Sequence, residues 1–461
     1  MSGRILVIDS DLDRKRVLVG ALTAAYFEVV DAPAPPDGPA PDLVVLGRED
    51  AGGLARAIAD LPPKALVLTV SDPASISARE AFRAGADDHL AWPAAPEVLL
   101  ARTRNLIRGR MMTDELALRQ KTARDLGLEP ESEEPTAPDS APRILLIAPA
   151  GAAANALRRA LGSLTGADIA LAPSGFAAMR VLERGRPDVV IVAERAGAFG
   201  GGAGLAESED AVSIIGALRS RTEARDAAII HLSSPPASDA RTRTAWSRRL
   251  AAAFEAGATD SAPVEPNELA ARLAIRLRAK RRDDALRAWL DGGLRQAAVD
   301  AMTGLHNRRY FDLHFARIFA GAQESGARLA ALVFDIDRFK AVNDAYGHGT
   351  GDEALRAFAM RLRDGFRGAD LVARLGGEEF AVILRNAAAT EAQAAAERVR
   401  AAISGAPIAS ATGDPVRITV SVGVASLFAG DKTPEDLLGR ADAALRAAKR
   451  GGRDRVRVDA A

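Results

Sequence analysis

The sequence contains no cysteine among its 461 residues. This absence excludes disulfide bonds and zinc sites with thiolate ligands, and it fits a reducing compartment such as the cytoplasm. Lysine plus arginine and aspartate plus glutamate number 61 each, so no net charge attracts nucleic acid or an anionic membrane. No stretch approaches the roughly 18 to 20 consecutive apolar residues of a membrane-spanning helix. We therefore expect a soluble, cytoplasmic protein that binds no nucleic acid and does not insert into a membrane.

The length of the chain indicates about three domains, because one ordinary hydrophobic core does not extend over this many residues. The first 282 residues contain a weak internal repeat, in which each copy alternates apolar strands with helical patterns. Such alternation predicts a parallel sheet covered by helices on both faces. The matched segments are RILVID at 4–9 and RILLIA at 143–148, PDLVVLG at 41–47 and PDVVIVA at 187–193, and AFRAGADD at 81–88 and AFEAGATD at 253–260.

The run RLGGEEF at residues 374–380 is the most informative motif, and it lies between two short apolar segments. This pattern predicts a β-hairpin that carries two glycines and the carboxylates of Glu378 and Glu379 at its tip. Glycines let the backbone approach a ligand closely, and adjacent acids at a turn suit a metal ion or a proton-abstracting base. Taken alone, the same run also fits an ordinary solvated hairpin.

Further segments around this run occur in a fixed order and together resemble the GGDEF family, the diguanylate cyclases. They are DAMTGLHNRR at 300–309, FDIDRFK at 334–340, ND at 343–344, GH at 347–348, GD at 351–352, VSVGVA at 420–425, and AD at 441–442 with Lys449 and GR at 452–453. The resemblance covers about a third of the chain, from residue 300 to about 458. It implies a mixed five-stranded α/β cyclase domain that condenses two GTP molecules into cyclic di-GMP and two pyrophosphates.

The two preceding copies resemble the receiver domains of response regulators, which have a five-stranded flavodoxin-like fold. With the cyclase domain they give the receiver–receiver–GGDEF order of the PleD-type response regulators. The expected domains are a degenerate receiver at 1–110, a helix extension and Pro- and acid-rich linker at 111–141, a second degenerate receiver at 142–282, a connecting helix at 283–299 and the GGDEF domain at 300–461.

Receivers hold Mg²⁺ with an acidic pair and accept phosphate on an aspartate after the third strand. The first copy keeps Asp9, with Asp11 nearby, and Thr69 at the Ser/Thr position, but it has Gly47 at the acceptor position and Trp92 in place of the lysine. Glycine has no nucleophile, so we expect no aspartyl phosphate at this position.

The second copy has Ala148 in place of the acidic pair and Ala193 at the acceptor position. No phosphoacceptor is therefore expected in either copy, although Glu49 or Asp50 could serve as a shifted acceptor near Gly47. We expect these pseudo-receivers to support dimerisation or to bind a ligand other than phosphate.

The resemblance assigns a metal site to Asp335, Glu378 and the backbone carbonyl of Ile336. Oxygen ligands suit Mg²⁺ or Mn²⁺. Glu378 and Glu379 share metal binding and deprotonation of the ribose 3′-hydroxyl in the family, and the sequence does not divide these roles between them.

The substrate residues implied by the resemblance bind the base and the phosphates of GTP. Asn343 and Asp352 match positions that hydrogen-bond guanine, and a carboxylate there discriminates against adenine. His348 either lies near the base or packs in a turn. Phosphates are assigned to backbone N–H groups near Phe339 and Lys340 and to the side chains of Lys340, Lys449 and Arg453.

A product-inhibition site is implied by Arg367 and Asp370, an Arg-x-x-Asp pair in the family's register against the signature, with Arg398 completing it. One domain holds one GTP, so the resemblance implies a catalytic homodimer. The mostly helical segment 277–299 would transmit the dimer geometry, although Gly292 and Gly293 would loosen it.

Two alternatives compete with an active cyclase. The chain could be a catalytically idle signalling scaffold that binds cyclic di-GMP, or a scaffold whose pseudo-receivers dock a protein partner.

Overall fold

The structure, a computed structural model, describes residues 3–32, 40–48, 50–62, 65–127, 141–194, 210–234, 240–294, 298–409 and 415–459. They form three five-stranded sheets and one two-stranded sheet. The chain divides into two compact units, Ser2–Arg110 with Thr136–Ala285, and Met111–Pro135 with Leu286–Ala461. Within the described part of the chain, every helix is too short or too polar to cross a membrane.

The first repeat copy is a parallel sheet in the order β2-β1-β3-β4-β5. Its inner strands are continuous apolar runs that are buried along their length, as expected for a sheet covered on both faces. The elements are β1 Arg4–Asp9, α1 Leu12–Ala24, β2 Glu28–Asp31, β3 Leu43–Gly47, α2 Ala51–Ala59, β4 Val67–Ser71, α3 Ala78–Arg83, β5 Asp88–Ala91 and α4 Pro96–Asp125.

The second copy has the same strand order, with β7-β6-β8-β9-β10 following the same sequence of neighbours. Both copies therefore confirm the predicted flavodoxin-like fold. The elements are β6 Arg143–Ile147, α5 Ala152–Thr165, β7 Asp168–Ala172, α6 Gly175–Leu182, β8 Val189–Ala193, α7 Ala211–Arg219, β9 Ala228–Leu232, α8 Ala240–Glu255, β10 Asp260–Ala262 and α9 Pro266–Leu294.

The two receiver copies pack through equivalent charged residues. Arg102 Nη1 lies 2.8 Å from Asp88 Oδ2 and 3.1 Å from Asp260 Oδ1, and Arg272 Nη1 lies 2.8 Å from Asp88 Oδ1 and 3.1 Å from Asp260 Oδ1. All four side chains are buried. Burial would raise the pKa of Asp88, but the two guanidinium groups hold it below its ordinary value. Each arginine thus bridges its own copy and the other, which gives the pair a local pseudo-twofold arrangement.

The third sheet is mixed and has the order β12-β13-β11-β16-β17, which confirms the predicted cyclase fold. The central strand β11 is antiparallel to β13 and β16, whereas β16 and β17 are parallel. The elements are α10 Arg308–Ser325, β11 Leu329–Ile336, α11 Phe339–Tyr346, α12 His348–Gly365, β12 Leu371–Gly376, β13 Glu379–Arg385, α13 Ala389–Gly405, β14 Ile408–Ala409, β15 Pro415–Val416, β16 Val420–Ser426, α14 Pro434–Arg450 and β17 Val456–Val458.

The connecting segments differ in how far the structure describes them. The helix α9 includes Gly292 and Gly293 and ends at Leu294. Of the expected linker, residues 128–140 lie outside the described residues.

Candidate active site

The predicted hairpin is confirmed, since β12 and β13 pair in antiparallel fashion around the signature run. Gly376 and Gly377 have φ values of 149° and 52°, a backbone region that favours glycine. Arg374 fixes the turn because its Nη2 donates to Gly377 O at 2.7 Å and its Nη1 to Asp300 Oδ1 at 3.1 Å. The glycines therefore shape the tip, and the arginine ties it to the start of the domain.

The two signature acids lie beside the buried end of β11. Asp335 pairs directly with Glu379 across the two strands, which places the two side chains on the same face of the sheet. The Ile336 N–H donates to Glu378 O at 3.4 Å. Glu378 is half-buried and Glu379 is exposed. The structure thus brings together the three residues that the sequence assigned to metal binding, with Glu379 beside them.

Asp335 is a buried carboxylate that has one cation beside it in this structure. Burial raises the pKa of this carboxyl, while the Lys449 ammonium, 2.6 Å from Oδ2, lowers it. In the described residues, no group of three or more acids and histidines is arranged to hold a metal ion. Mg²⁺ needs only one or two carboxylates when water and substrate phosphates supply its other ligands. The carboxylates of Asp335 and Glu378 with the Ile336 carbonyl fit that requirement.

Asp337 is a buried residue of this site that the sequence reasoning did not assign. Its carboxylate accepts hydrogen bonds from the hydroxyls of Thr419 at 2.8 Å and Ser421 at 2.6 Å and from the Asp454 N–H at 3.0 Å. These bonds fasten the end of β11 to the loop that carries Arg453. The second aspartate of the FDID segment was the available signal, but a strand-end acid has no distinctive spacing.

The residues assigned to guanine lie at the junction of α11 and α12. Asn343 Oδ1 is buried and has no hydrogen-bond partner among the described residues. It lies so close to Gly351 that a Cβ there would be 1.9 Å away, which explains why glycine precedes Asp352. A buried acceptor without a donor suits a ligand that brings N–H groups. His348 is exposed as the first residue of α12, so the alternative of a packed turn histidine is wrong.

The predicted phosphate-binding groups surround the start of α11. Arg338 adopts a left-handed conformation with φ of 55°, and its side chain does not cap the helix. The first N–H groups of α11, including those of Phe339 and Lys340, therefore form a helix N-terminus that favours binding of an anion. The Lys340 and Arg453 side chains are exposed, and Lys449 pairs with Asp335.

The residues of the predicted product site occupy one turn and the neighbouring helix. Asp370 is buried and its carboxylate accepts the Arg367 N–H at 2.9 Å, while the Arg367 and Arg398 side chains are exposed. A Cβ on Gly365 would lie 2.5 Å from Val399 Cγ2. The turn after α12 is therefore adjacent to the part of α13 that carries Arg398.

The phosphorylation pocket of the first receiver is closed by an internal ion pair. Arg14 binds Asp9 through two hydrogen bonds of 2.6 and 2.9 Å, and both side chains are buried. A Cβ on Gly47 would lie 2.1 Å from Asp9 Oδ2, so a side chain has no room there. Thr69 lies inside β4, where its hydroxyl donates to the Asp88 carbonyl. The strand β4 extends two residues beyond Thr69 and ends at Ser71, so Thr69 does not follow the fourth strand as the Ser/Thr of a receiver does.

The second receiver has two alanines at the corresponding positions. Ala148 and Ala193 are fully buried after β6 and at the end of β8.

Asp50, the shifted alternative in the first receiver, caps α2 by accepting the Gly53 N–H at 2.6 Å. Glu49 lies outside the described residues.

Comparisons with known proteins agree with this architecture. The family described as "Diguanylate cyclase, GGDEF domain" matches residues 297–455. The "Response regulator PleD" of Caulobacter vibrioides is 34% identical over 486 aligned positions, which cover 99% of each chain. The "Diguanylate cyclase DosC" of Escherichia coli K12 is 39% identical over 163 residues, 35% of each chain.

Among solved structures, the GGDEF domain of DgcB from Caulobacter crescentus in complex with c-di-GMP is 38% identical to the matched part. The match covers 36% of this chain and 96% of that one, with a TM-score of 0.35.

Proposed function

Since this chain belongs to the PleD-type response regulators with a GGDEF domain and is a diguanylate cyclase, we propose that it condenses two GTP molecules into cyclic di-GMP. Each 3′-hydroxyl attacks an α-phosphate of the other nucleotide, and pyrophosphate leaves. Two cyclase domains meet face to face, each with one GTP. The pseudo-receivers support this homodimer without phosphorylation of an aspartate, and we expect the enzyme to act in the cytoplasm.

The acidic residues of the site would bind the metal ion and remove a proton, and its basic residues would bind phosphate. A Mg²⁺ or Mn²⁺ ion held by Asp335, Glu378 and the Ile336 carbonyl would neutralise the charge that develops on the phosphates. Lys449, whose ammonium lies 2.6 Å from Asp335, would contact a phosphate oxygen of the bound GTP. Glu378 and Glu379 share metal binding and removal of the 3′-hydroxyl proton.

Base recognition follows from the chemistry of guanine. Guanine offers N1–H and N2–H₂ as donors, and adenine has no such pair. The free acceptor of Asn343 and the carboxylate of Asp352 therefore favour GTP over ATP. Lys340, Arg453 and the start of α11 supply positive charge for the phosphates.

The observation that carries this proposal is the strand register that sets Asp335 opposite Glu379, with the Ile336 N–H bonded to the Glu378 carbonyl. Glu378→Gln should lower cyclic di-GMP formation at least about 100-fold, because a neutral amide cannot balance the charge of the metal. Glu324→Gln, an exposed residue of α10, is the matched control and should retain full activity. The melting temperature checks that both variants fold. More than a tenth of wild-type activity in Glu378→Gln would show that the metal site is assigned wrongly.

Feedback inhibition is the second part of the proposal. Arg367 grips the product by stacking on guanine or by binding phosphate, and Asp370 accepts from the guanine edge. Arg398 of α13 completes the site. Product bound there, bridging to another subunit or to a receiver, would hold the two half-sites apart without competing with GTP.

A further inference from the structure

The second half of α4, residues 111–125, belongs to the compact unit of the cyclase domain although it follows the first receiver in sequence. We call these residues the docking segment. Its buried Leu116 and Ala123, with the partly buried Met112, lie in the same hydrophobic cluster as the aromatic side chains of α10. These three positions share one helix face, so the segment packs as an amphipathic helix.

Glu115 is the polar centre of this packed face and is fully buried. Its carboxylate accepts hydrogen bonds from Arg119 Nε at 2.6 Å, His314 Nε2 at 2.9 Å and Arg385 Nη1 at 3.0 Å. Burial would raise the pKa of Glu115, but Arg119 and the hydrogen bond from His314 bring it to about 2. A buried carboxylate with three specific donors fixes the docking segment in one register.

Arg119 uses its other nitrogen on the predicted product-binding turn. Its Nη2 donates to Gly368 O at 3.0 Å and to Asp370 O at 3.2 Å. These two carbonyls belong to the turn that the Arg367 N–H and the Asp370 carboxylate close. The turn leads into β12 and Arg385 ends β13, so the docking segment holds the end of the catalytic hairpin opposite its glutamates.

We propose that Arg119 is a positioning residue for the product-binding turn, so that the docking segment determines how tightly the cyclase binds its inhibitor. This inference rests on the proposed feedback site at Arg367 and Asp370. Arg119 acts through the backbone carbonyls of Gly368 and Asp370 and not through a contact with the product. It keeps the turn in one shape, and a turn held in advance loses less conformational entropy when the ligand binds.

The test compares product inhibition with uninhibited turnover in the full-length chain. Arg119→Ala should raise the inhibition constant for cyclic di-GMP at least about tenfold, because the turn is no longer preorganised. The kcat and the KM for GTP without product should change far less. Lys121→Ala removes one cation from the exposed side of the same helix and should be inhibited like the wild type.

A second variant covers the outcome that Arg119→Ala fails to fold. Arg119→Lys keeps a cation beside Glu115, but a single ammonium cannot hold the carboxylate and both carbonyls as the planar guanidinium does. It should show the same rise in the inhibition constant. If both variants lose kcat in parallel with inhibition, Arg119 only supports the fold and the inference is overturned.

Arg367→Ala separates this inference from the feedback proposal beneath it. If Arg367→Ala is inhibited like the wild type, or if the wild type is not inhibited, the product site itself is wrong. If Arg367→Ala relieves inhibition but Arg119→Ala and Arg119→Lys remain fully inhibited, the product site stands and the role of Arg119 is refuted.

Discussion

At the scale of single residues, the buried carboxylates of the cyclase domain differ in the ion pairs and hydrogen bonds that stabilise their charged form. Asp335 lies at the end of a buried strand and is paired with Lys449. Asp337 accepts three hydrogen bonds. The Asp370 carboxylate is buried and accepts the Arg367 N–H, and this hydrogen bond only partly offsets the effect of burial, which raises the pKa of Asp370. The charge of Asp370 therefore changes with pH around its raised pKa of about 6.

Binding of cyclic di-GMP should depend on the ionisation of Asp370. Burial raises the pKa of this carboxyl to about 6, against the lowering effect of the Arg367 N–H. Because guanine donors need an ionised carboxylate, affinity should rise about tenfold from pH 5 to pH 7. Calorimetry at several pH values measures this, with Asp370→Asn as the variant that should lack the dependence. Equal wild-type affinity at pH 5 and pH 7 would contradict the role of Asp370.

The same raised pKa has a defined effect on stability. The folded state binds this proton more tightly than the unfolded state, so the contribution of Asp370 lowers the free energy of unfolding as pH rises from about 4 to about 6.

Which residues could be predicted from the sequence follows from where their signals lie. Asp335 and Glu378 each lie in a motif of several residues, and the structure places the end of β11 beside the hairpin tip, where the Ile336 N–H donates to the Glu378 carbonyl. Arg14 and Glu115 could not be found in this way. An arginine five positions after an aspartate, or a Glu–Arg pair at i and i+4, is common on solvated helices, and only the fold shows that these are buried.

At the scale of elements, the turn before β12 and the hairpin after it form one continuous piece of chain. The turn carries Arg367 and Asp370 and the hairpin carries Glu378 and Glu379, at opposite ends of the same two strands. The proposed product site and the proposed catalytic site therefore lie at different ends of one structural element, an arrangement that suits inhibition without competition.

Arg367→Ala should weaken the binding of cyclic di-GMP by about 2 to 4 kcal/mol, or about 30- to 1,000-fold, because one bidentate charge-assisted contact is lost. Calorimetry with the product measures the affinity. Arg363→Ala removes an exposed arginine from the last turn of α12 and should bind like the wild type. Indistinguishable affinities for the wild type and Arg367→Ala would leave Arg367 as an ordinary surface residue.

At the scale of the whole molecule, the duplication was visible in sequence, but the way its copies pack was not. Asp88 and Asp260 occupy equivalent repeat positions, and so do their bridging arginines. In sequence these charges resemble solvated pairs, and only the packed copies show that they are buried and shared. This ion network joins the two copies within one chain without a phosphoryl group.

Beryllofluoride or acetyl phosphate should change neither the sedimentation of the protein nor its activity. Gly47 and Ala193 offer no carboxylate, and in the first receiver the Asp9 carboxylate forms a buried ion pair with Arg14. Analytical ultracentrifugation with and without beryllofluoride checks this. A clear shift, abolished by Asp50→Asn, would show that a displaced acceptor is used.

The most direct test of the proposed cyclase activity is turnover of labelled GTP by the purified full-length protein with Mg²⁺. Chromatography should show cyclic di-GMP and pyrophosphate accumulating from GTP, and no cyclic dinucleotide from ATP. Tight binding of cyclic di-GMP without any turnover of GTP would contradict the account and identify the chain as a signalling scaffold.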